Sequence, residues 1–300
     1  MSLFFNPDPQ ITLTFATNFE KMKFITEDFP VPADLKPYLG NIWYFKADGP
    51  ETEISAVQTC LPIGMAELII HVTPQLHSVK WRGEWKVFPE AFFVGVQTEH
   101  VNWSAPGGTV MMGINIKPEA FMKLFGHPAG ELADDFADAR EYPGCELDLF
   151  VERLKLNPAP TGIFQETVQF FRRRLAVTDT RKEQPNYFPE AMEYIRTATG
   201  YQSIGDLADK VFVGKRQLQR AFQEQIGISP KTYGRIIRFK SACDFVRQYP
   251  EASWVDVTYQ FGYSDQSHFI RDFKEFSGKN PTTFLSDFAP KSNTPFALSV

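Results

Sequence analysis

The stretch TVMMGINI (109–116) alternates: Val110, Met112, Ile114 and Ile116 fall on one side, Met111 and Asn115 on the other. AELIIHV (66–72) does the same, setting Leu68, Ile70 and Val72 against Glu67 and His71. A period of two predicts strands. GNIWYFKA (40–47), EISAVQTCL (53–61) and AFFVGVQT (91–98) are rich in β-branched and aromatic residues between Gly and Pro turns, and are predicted strands as well. Strands so closely spaced suggest a sandwich or barrel. Residues 117–126, 145–155 and 160–175 read as helices that close this domain. The segment AVTDTRKEQPN (176–186) is polar, holds Pro185 and has no apolar period, which places a linker at 179–186. Beyond it the pattern is helical throughout, with helices predicted over 188–198, 204–211, 215–226, 230–248, 254–261, 265–276 and 281–287. The chain is therefore predicted to be α+β, with a β-rich domain over 1–178, an all-helical domain over 187–290 and a tail at 291–300.

The helical half punctuates itself. Ser203 precedes Asp206 by three and Ser253 precedes Asp256 by three, as in capping boxes with Asp in the usual Glu position. Ser229-Pro230 and Asn280-Pro281 place an N-cap before a proline suited to the first helical turn. Gly227 and Gly278 fall just past helix ends. Arg220, Phe222, Gly227, Pro230 and Tyr233 recur as Arg271, Phe273, Gly278, Pro281 and Phe284. The repeated unit, short helix, tight turn, second helix, is a helix-turn-helix. In the first copy Leu218 and Phe222 face inward, with Arg216, Arg220 and Gln223 outward. In the second, Phe269, Phe273 and Phe276 face inward, with Ser267, Arg271 and Lys274 outward. Such a polar, basic face suits the major groove, where Arg pairs with guanine, Gln with adenine, and flanking Lys and Arg with phosphates. The helix between the copies, about 19 residues, spans roughly 28 Å. Two such readers, set about 34 Å apart, would enter successive major grooves.

Charge sharpens the picture. The net charge is −5 over 300 residues, but residues 1–189 hold 17 basic and 24 acidic side chains, and the remainder 14 and 12. Within 211–243, Lys215, Arg216, Arg220, Lys231, Arg235, Arg238 and Lys240 are offset only by Glu224. Cys60, Cys145 and Cys243 are scattered, which fits a reducing cytoplasm rather than a disulfide framework. No apolar run approaches the length of a membrane span, and MSLFFNPDPQ does not read as a secretion signal.

FGYSDQSHFIRDFKEFSGKNPTTF (261–284) resembles the signature of the AraC/XylS family of bacterial transcription regulators, and SIGDLADKVFVGKRQLQRAFQEQIGISPKTYGRIIRF (203–239) is similar to its first helix-turn-helix. The resemblance implies two helix-turn-helix subdomains joined by a linker helix. It implies base-facing roles for Arg216, Gln219 and Arg220 in the first copy and for Gln266, Ser267, His268 and Arg271 in the second. The basic faces themselves add Lys215 and Lys274 as DNA contacts, Lys274 to a phosphate. Double-stranded DNA is the partner so implied; a small-molecule effector, RNA polymerase and a second copy of the chain are further candidates. The first turn departs from the family pattern, with Phe212 where a Gly is usual and Gly214 where a Ser N-cap is usual. A Phe in a left-handed turn is strained, so the turn is expected to be reshaped around Gly214. LKPYLGNIWYF, CLPIGMAELIIHV, FFVGVQ and MGINIKPEAFMKLFG are similar to the effector or oligomerisation domain of one AraC subgroup. In better-known family members that domain is a cupin-like β-barrel that senses a small molecule.

Enzymatic readings find less support. His71, His77, His100 and His127 lack the close His-x-His with a following Glu expected of a metal-dependent cupin-type enzyme. Three scattered cysteines do not build the four-cysteine zinc site of a DNA-repair methyl acceptor. No Ser-His-Asp arrangement or phosphate-binding glycine loop is evident. No catalytic residue, metal ligand or cofactor is expected. Glu67, His71 and Asn115 are left between two environments, a barrel interior and a solvated sheet face. Trp43, Trp81, Trp85 and Trp103 are read as packing residues.

Overall fold

The computed structural model describes residues 22–142, 146–177, 186–200, 203–249 and 251–288. The 291–300 tail, nearly all of the 179–186 linker, and Cys145 lie outside them. The first domain holds strands β1 (Lys23–Phe29), β2 (Leu39–Asp48), β3 (Gln58–Cys60), β4 (Ala66–His71), β5 (Ser78–Trp81), β6 (Glu84–Val87), β7 (Ala91–Val94), β8 (Val101–Ser104), β9 (Val110–Ile116) and β10 (Phe136–Asp138). Helix α1 (Pro118–Phe125) follows β9, and α2 (Leu147–Leu156) and α3 (Pro160–Val177) follow β10. A six-stranded antiparallel sheet runs β1-β2-β9-β4-β7-β10, and a four-stranded one runs β3-β8-β5-β6.

The alternation read from the sequence assigns the two faces of the larger sheet. Ile42, Tyr44, Leu68, Ile70, Phe93, Met112 and Ile114 pack with Phe121, Phe150, Ile163 and Phe171 of the helices. The opposite face carries Trp43, Phe45, Ile69, Phe92 and Met111, which meet Val79, Trp81 and Trp103 of the smaller sheet. Glu67 and His71 share a strand face with Ile69, so they point between the sheets, not into solvent. Gly113 sits in a central strand opposite Trp43, and a Cβ there would stand 1.9 Å from Trp43 Cζ2.

Five strands go beyond those predicted. β5 and β6 form a hairpin whose two-residue turn, Arg82-Gly83, takes positive φ at both positions (51° and 89°). β6 is exposed along its whole length, so no apolar alternation marks it. The strand predicted over 53–61 shrinks to Gln58–Cys60, with Ile54 making only a single bridge to Pro106. The strand predicted over 91–98 stops at Val94; just beyond it Gly95 donates to the Asp135 carbonyl at 3.1 Å and lies against the carbonyl of Leu132.

The second domain holds α4 (Tyr187–Thr197), α5 (Ile204–Lys210), α6 (Lys215–Ile226), α7 (Pro230–Gln248), α8 (Trp254–Gln260), α9 (Gln266–Ser277) and α10 (Pro281–Phe288). Three of the N-caps are those the sequence signals. Ser203, Ser229 and Ser253 accept from the backbone N–H groups of Asp206, Thr232 and Asp256. Gly227 and Gly278 close α6 and α9 with φ of 74° and 70°. Phe188, Met192, Leu218, Phe222, Tyr233, Phe239, Phe269 and Phe273 belong to one continuous core.

Adding a single methyl in Gly113→Ala should overpack the sheet interface and lower stability by about 3 kcal/mol, read by urea unfolding.

Candidate functional site

α5 with α6, and α8 with α9, form the two helix-turn-helix units, with α7 running between them. On α6, Leu218, Ala221, Phe222 and Ile226 are buried, whereas Lys215, Arg216, Gln219 and Arg220 are exposed. On α9, Phe269, Asp272, Phe273 and Phe276 are buried, whereas Gln266, Ser267, Arg271 and Lys274 are exposed. The sequence-predicted site residues thus fall on the open faces of two equivalent helices. Arg220 lies 3.7 Å from Glu224, an exposed pair that holds it only weakly. His268 is engaged within the chain: its Nδ1 is 3.1 Å from Ser264 Oγ and its ring meets Tyr263 edge-on. Asp265, predicted inside the helix, is its N-cap and accepts from the His268 backbone N–H at 2.8 Å. That bond, with one from Ser264, holds the Asp265 carboxyl below its ordinary range.

Three of the basic residues counted over 211–243 are bonded within the chain. Asp272, 2% exposed, accepts from Arg235 at 2.9 Å and from Arg238 at 3.1 Å. Arg238 also lies over the Tyr263 ring at 4.1 Å, and Lys240 pairs with Asp244 at 2.7 Å. The sequence shows the charge excess but not this division, because Asp272 and Asp244 lie beyond residues 211–243.

The first turn corrects an expectation. It is not reshaped around Gly214, which has φ −71° and ψ 145° and serves as the N-cap of α6. Phe212 itself takes the left-handed conformation, with φ 56° and its side chain 94% exposed. The reason is the closing hydrogen bond, Val213 N–H to Ala208 C=O at 3.0 Å, which needs a left-handed residue before it. The second copy makes the same bond, Tyr263 N–H to Thr258 C=O at 3.0 Å, with Gly262 at φ 66°.

The β-rich domain meets the helical one at several points. Arg196 of α4 is bonded to Glu119 of α1, to Tyr233 of α7 at 3.2 Å and to Glu193 at 3.0 Å. Burial works against the Arg196 charge, but Tyr233 and Glu119 more than offset it and hold the guanidinium above its usual range. Burial pushes the Tyr233 hydroxyl up to about 12. Gly227, at the end of α6, abuts Gly130 and Ala133, and Gly278, at the end of α9, abuts His100. The first domain therefore touches the C-terminal ends of both exposed-face helices.

Between the two sheets lies a cavity of about 70 Å³, walled by Trp81, Phe88, Phe92 and Trp103 among others. Glu67 and His77 face it. Burial raises the Glu67 carboxyl to about 7, partly relieved by the Trp43 indole. His71 Nε2 lies 2.8 Å from His77 Nδ1, and burial holds both imidazoles below the usual range. Among the described residues no three His, Cys, Asp or Glu side chains converge in a metal-ligating group. No described helix is long and apolar enough to cross a membrane.

Residues 207–287 match the helix-turn-helix domain family, and residues 27–138 match a domain of unknown function (DUF6597). Among characterised proteins, the HTH-type transcriptional activator RhaS of Escherichia coli is 34% identical over 68 residues, 23% of this chain and 24% of that protein. The Msm operon regulatory protein of Streptococcus mutans is 27% identical over 84 residues, 28% of this chain and 30% of that protein. The chain thus spans less than a third of the length of these relatives. Among solved structures, ToxT from Vibrio cholerae aligns over 89% of this chain and 98% of its own, at 9% identity and a TM-score of 0.44. An AraC family transcriptional regulator from Rhodopseudomonas palustris aligns over 34% of this chain and 96% of its own, at 23% identity and a TM-score of 0.31. Residues 207–287 of this chain therefore form a helix-turn-helix domain.

Two measurements check the local physics. Phe212→Gly should raise stability by about 1 kcal/mol, because it relieves left-handed strain and removes no buried surface. Glu67 is protonated more readily in the fold than in the unfolded chain, so its contribution is fully present below about 4.5 and is lost as pH rises through about 7. Glu67→Gln lacks that loss, and its melting temperature relative to the unsubstituted protein should climb between pH 5 and pH 8.

Proposed function

We propose that this protein is a cytoplasmic, sequence-specific transcription regulator that reads double-stranded DNA with α6 and α9 in successive major grooves. The carrying observation is that two equivalent helices, built on one repeated device and joined by α7, each present a short polar and basic face with no packing role. Arg216, Gln219 and Arg220 on α6, and Gln266, Ser267 and Arg271 on α9, are the base readers in this reading, with Lys215 and Lys274 on phosphates. His268, tied to Ser264 and Tyr263, orients the start of α9 and offers at most an edge to the groove. The β-rich domain supplies control and no catalysis: a ligand in its cavity would bias how the two domains are held. RhaS is a transcriptional activator by name, which supports the regulatory reading without assigning an operator.

Arg220→Ala and Arg271→Ala should each weaken specific binding by about 1–3 kcal/mol and relax base preference at positions roughly 10 base pairs apart. Lys274→Ala should weaken all sequences alike, and binding should fall steeply with salt. Fluorescence anisotropy against a set of site variants measures this. Loss of preference at one shared base pair, or binding indifferent to salt, would contradict the two-groove reading.

A further inference from the structure

The cavity between the sheets has a polarity that its wall dictates. His71 Nδ1 is 3.1 Å from the carbonyl of Glu90, so Nδ1 carries the proton and donates. His71 Nε2 is then an acceptor, and it receives both the backbone N–H of His77 at 3.1 Å and His77 Nδ1 at 2.8 Å. His77 must therefore be protonated on Nδ1, which leaves its Nε2 a bare acceptor in a ring that lines the cavity. Glu67 adds a carboxyl, and Glu99 a second one. Gln97 gives an N–H to the Gly95 carbonyl at 3.3 Å, leaving its amide oxygen to accept. Among the described residues no Lys or Arg lines the space, so an anionic ligand would find no counter-charge from them. The remaining wall is largely aromatic and aliphatic.

Two segments of this wall also form part of the other domain's support. Leu61, Pro62, Ile63 and Met65 line the cavity, and Gly64 among them has φ 72°. A Cβ on Gly64 would stand 2.8 Å from Ile237 Cδ1 and 3.2 Å from Tyr233 Cε2, both on α7. Gly95 and Gln97 line the cavity too, while Val96 between them is fully buried in the core of the helical domain, together with Leu61. An occupant that moves 61–65 presses on α7, and one that moves 95–97 presses on the helical core of which α7 is part.

We propose that this cavity binds a small, largely apolar aromatic molecule that donates N–H or O–H hydrogen bonds, and that its occupancy is transmitted to α7 through the segments 61–65 and 95–97. This rests on the regulatory reading above only for its biological use; the binding and the transmission are measurable without DNA.

Isothermal titration of the full chain with indole, 1-methylindole and indole-3-carboxylate tests the site. Indole should bind about tenfold more tightly than 1-methylindole, which lacks the donor, and more tightly than the carboxylate. Glu67→Gln, nearly isosteric, should lower indole affinity several-fold and leave 1-methylindole unchanged. Val79→Trp, which fills the cavity, should abolish both. Hydrogen exchange over 230–240 should change on adding indole. Gly64→Val, which wedges the shared segment against α7, should remove that change while indole still binds. Equal or better binding of 1-methylindole or the carboxylate, or no binding of indole, would overturn the ligand class. Exchange over 230–240 that ignores bound indole would overturn the transmission. A chain that fails to bind DNA would leave both results standing and would count against the regulatory reading alone.

Discussion

The Arg196 guanidinium is the charge on which the arrangement of the two domains depends. It sits 17% exposed against a Glu119 that is 6% exposed, with Tyr233 and Glu193 completing its partners. A buried ion pair of this kind is weak evidence for stability, because desolvation offsets most of the attraction. It is strong evidence for geometry, since separating the partners leaves a carboxylate and a guanidinium unpaired in an apolar setting. Three elements, α1 of the first domain and α4 and α7 of the second, are thereby held in one relative position. In the same docked arrangement the segment 61–65 lies against α7, and 95–97 reaches the helical core through Val96.

Asp272 plays the equivalent role inside the helical domain. By accepting from Arg235 and Arg238 it draws two guanidinium groups inward and fixes α9 against α7. The cations left on the outside are those of the exposed helix faces, Lys215, Arg216, Arg271 and Lys274 among them. Packing of the first domain onto the C-terminal ends of α6 and α9, through Gly227 and Gly278, leaves the N-terminal halves of both helices uncovered. The same domain contact that steadies the two helices therefore leaves their polar faces available.

The paired imidazoles of His71 and His77 illustrate how burial chooses chemistry. Between two sheets burial disfavours a charged imidazole, so both rings are neutral, and the geometry of Glu90 and His77 then assigns each proton. His71 is thus engaged on both nitrogens, and His77 keeps only Nε2 open to the cavity.

Helix limits were legible because caps and apolar period are local: residues 215–226 and 230–248 are helices as the pattern of Ser229-Pro230, Gly227 and the apolar stripe dictates. The strands at 66–72 and 109–116 were legible for the same reason, as half-buried period-two runs. The candidate reading faces followed from the helical period alone. The exposed β6 and the short β10 carry no such period, and only their partners in the sheets define them. Whether Glu67 and His71 faced solvent or a cavity was decided by a second sheet formed from residues elsewhere in the chain. Phe212 sits left-handed because the bond closing its turn requires that backbone whatever side chain stands there, which a propensity argument weighs the other way. Sequence determined the elements, since those are set by neighbours three or four residues apart. Tertiary structure decided which charges turn inward and which wall the cavity shares with α7, since those depend on partners far apart along the chain.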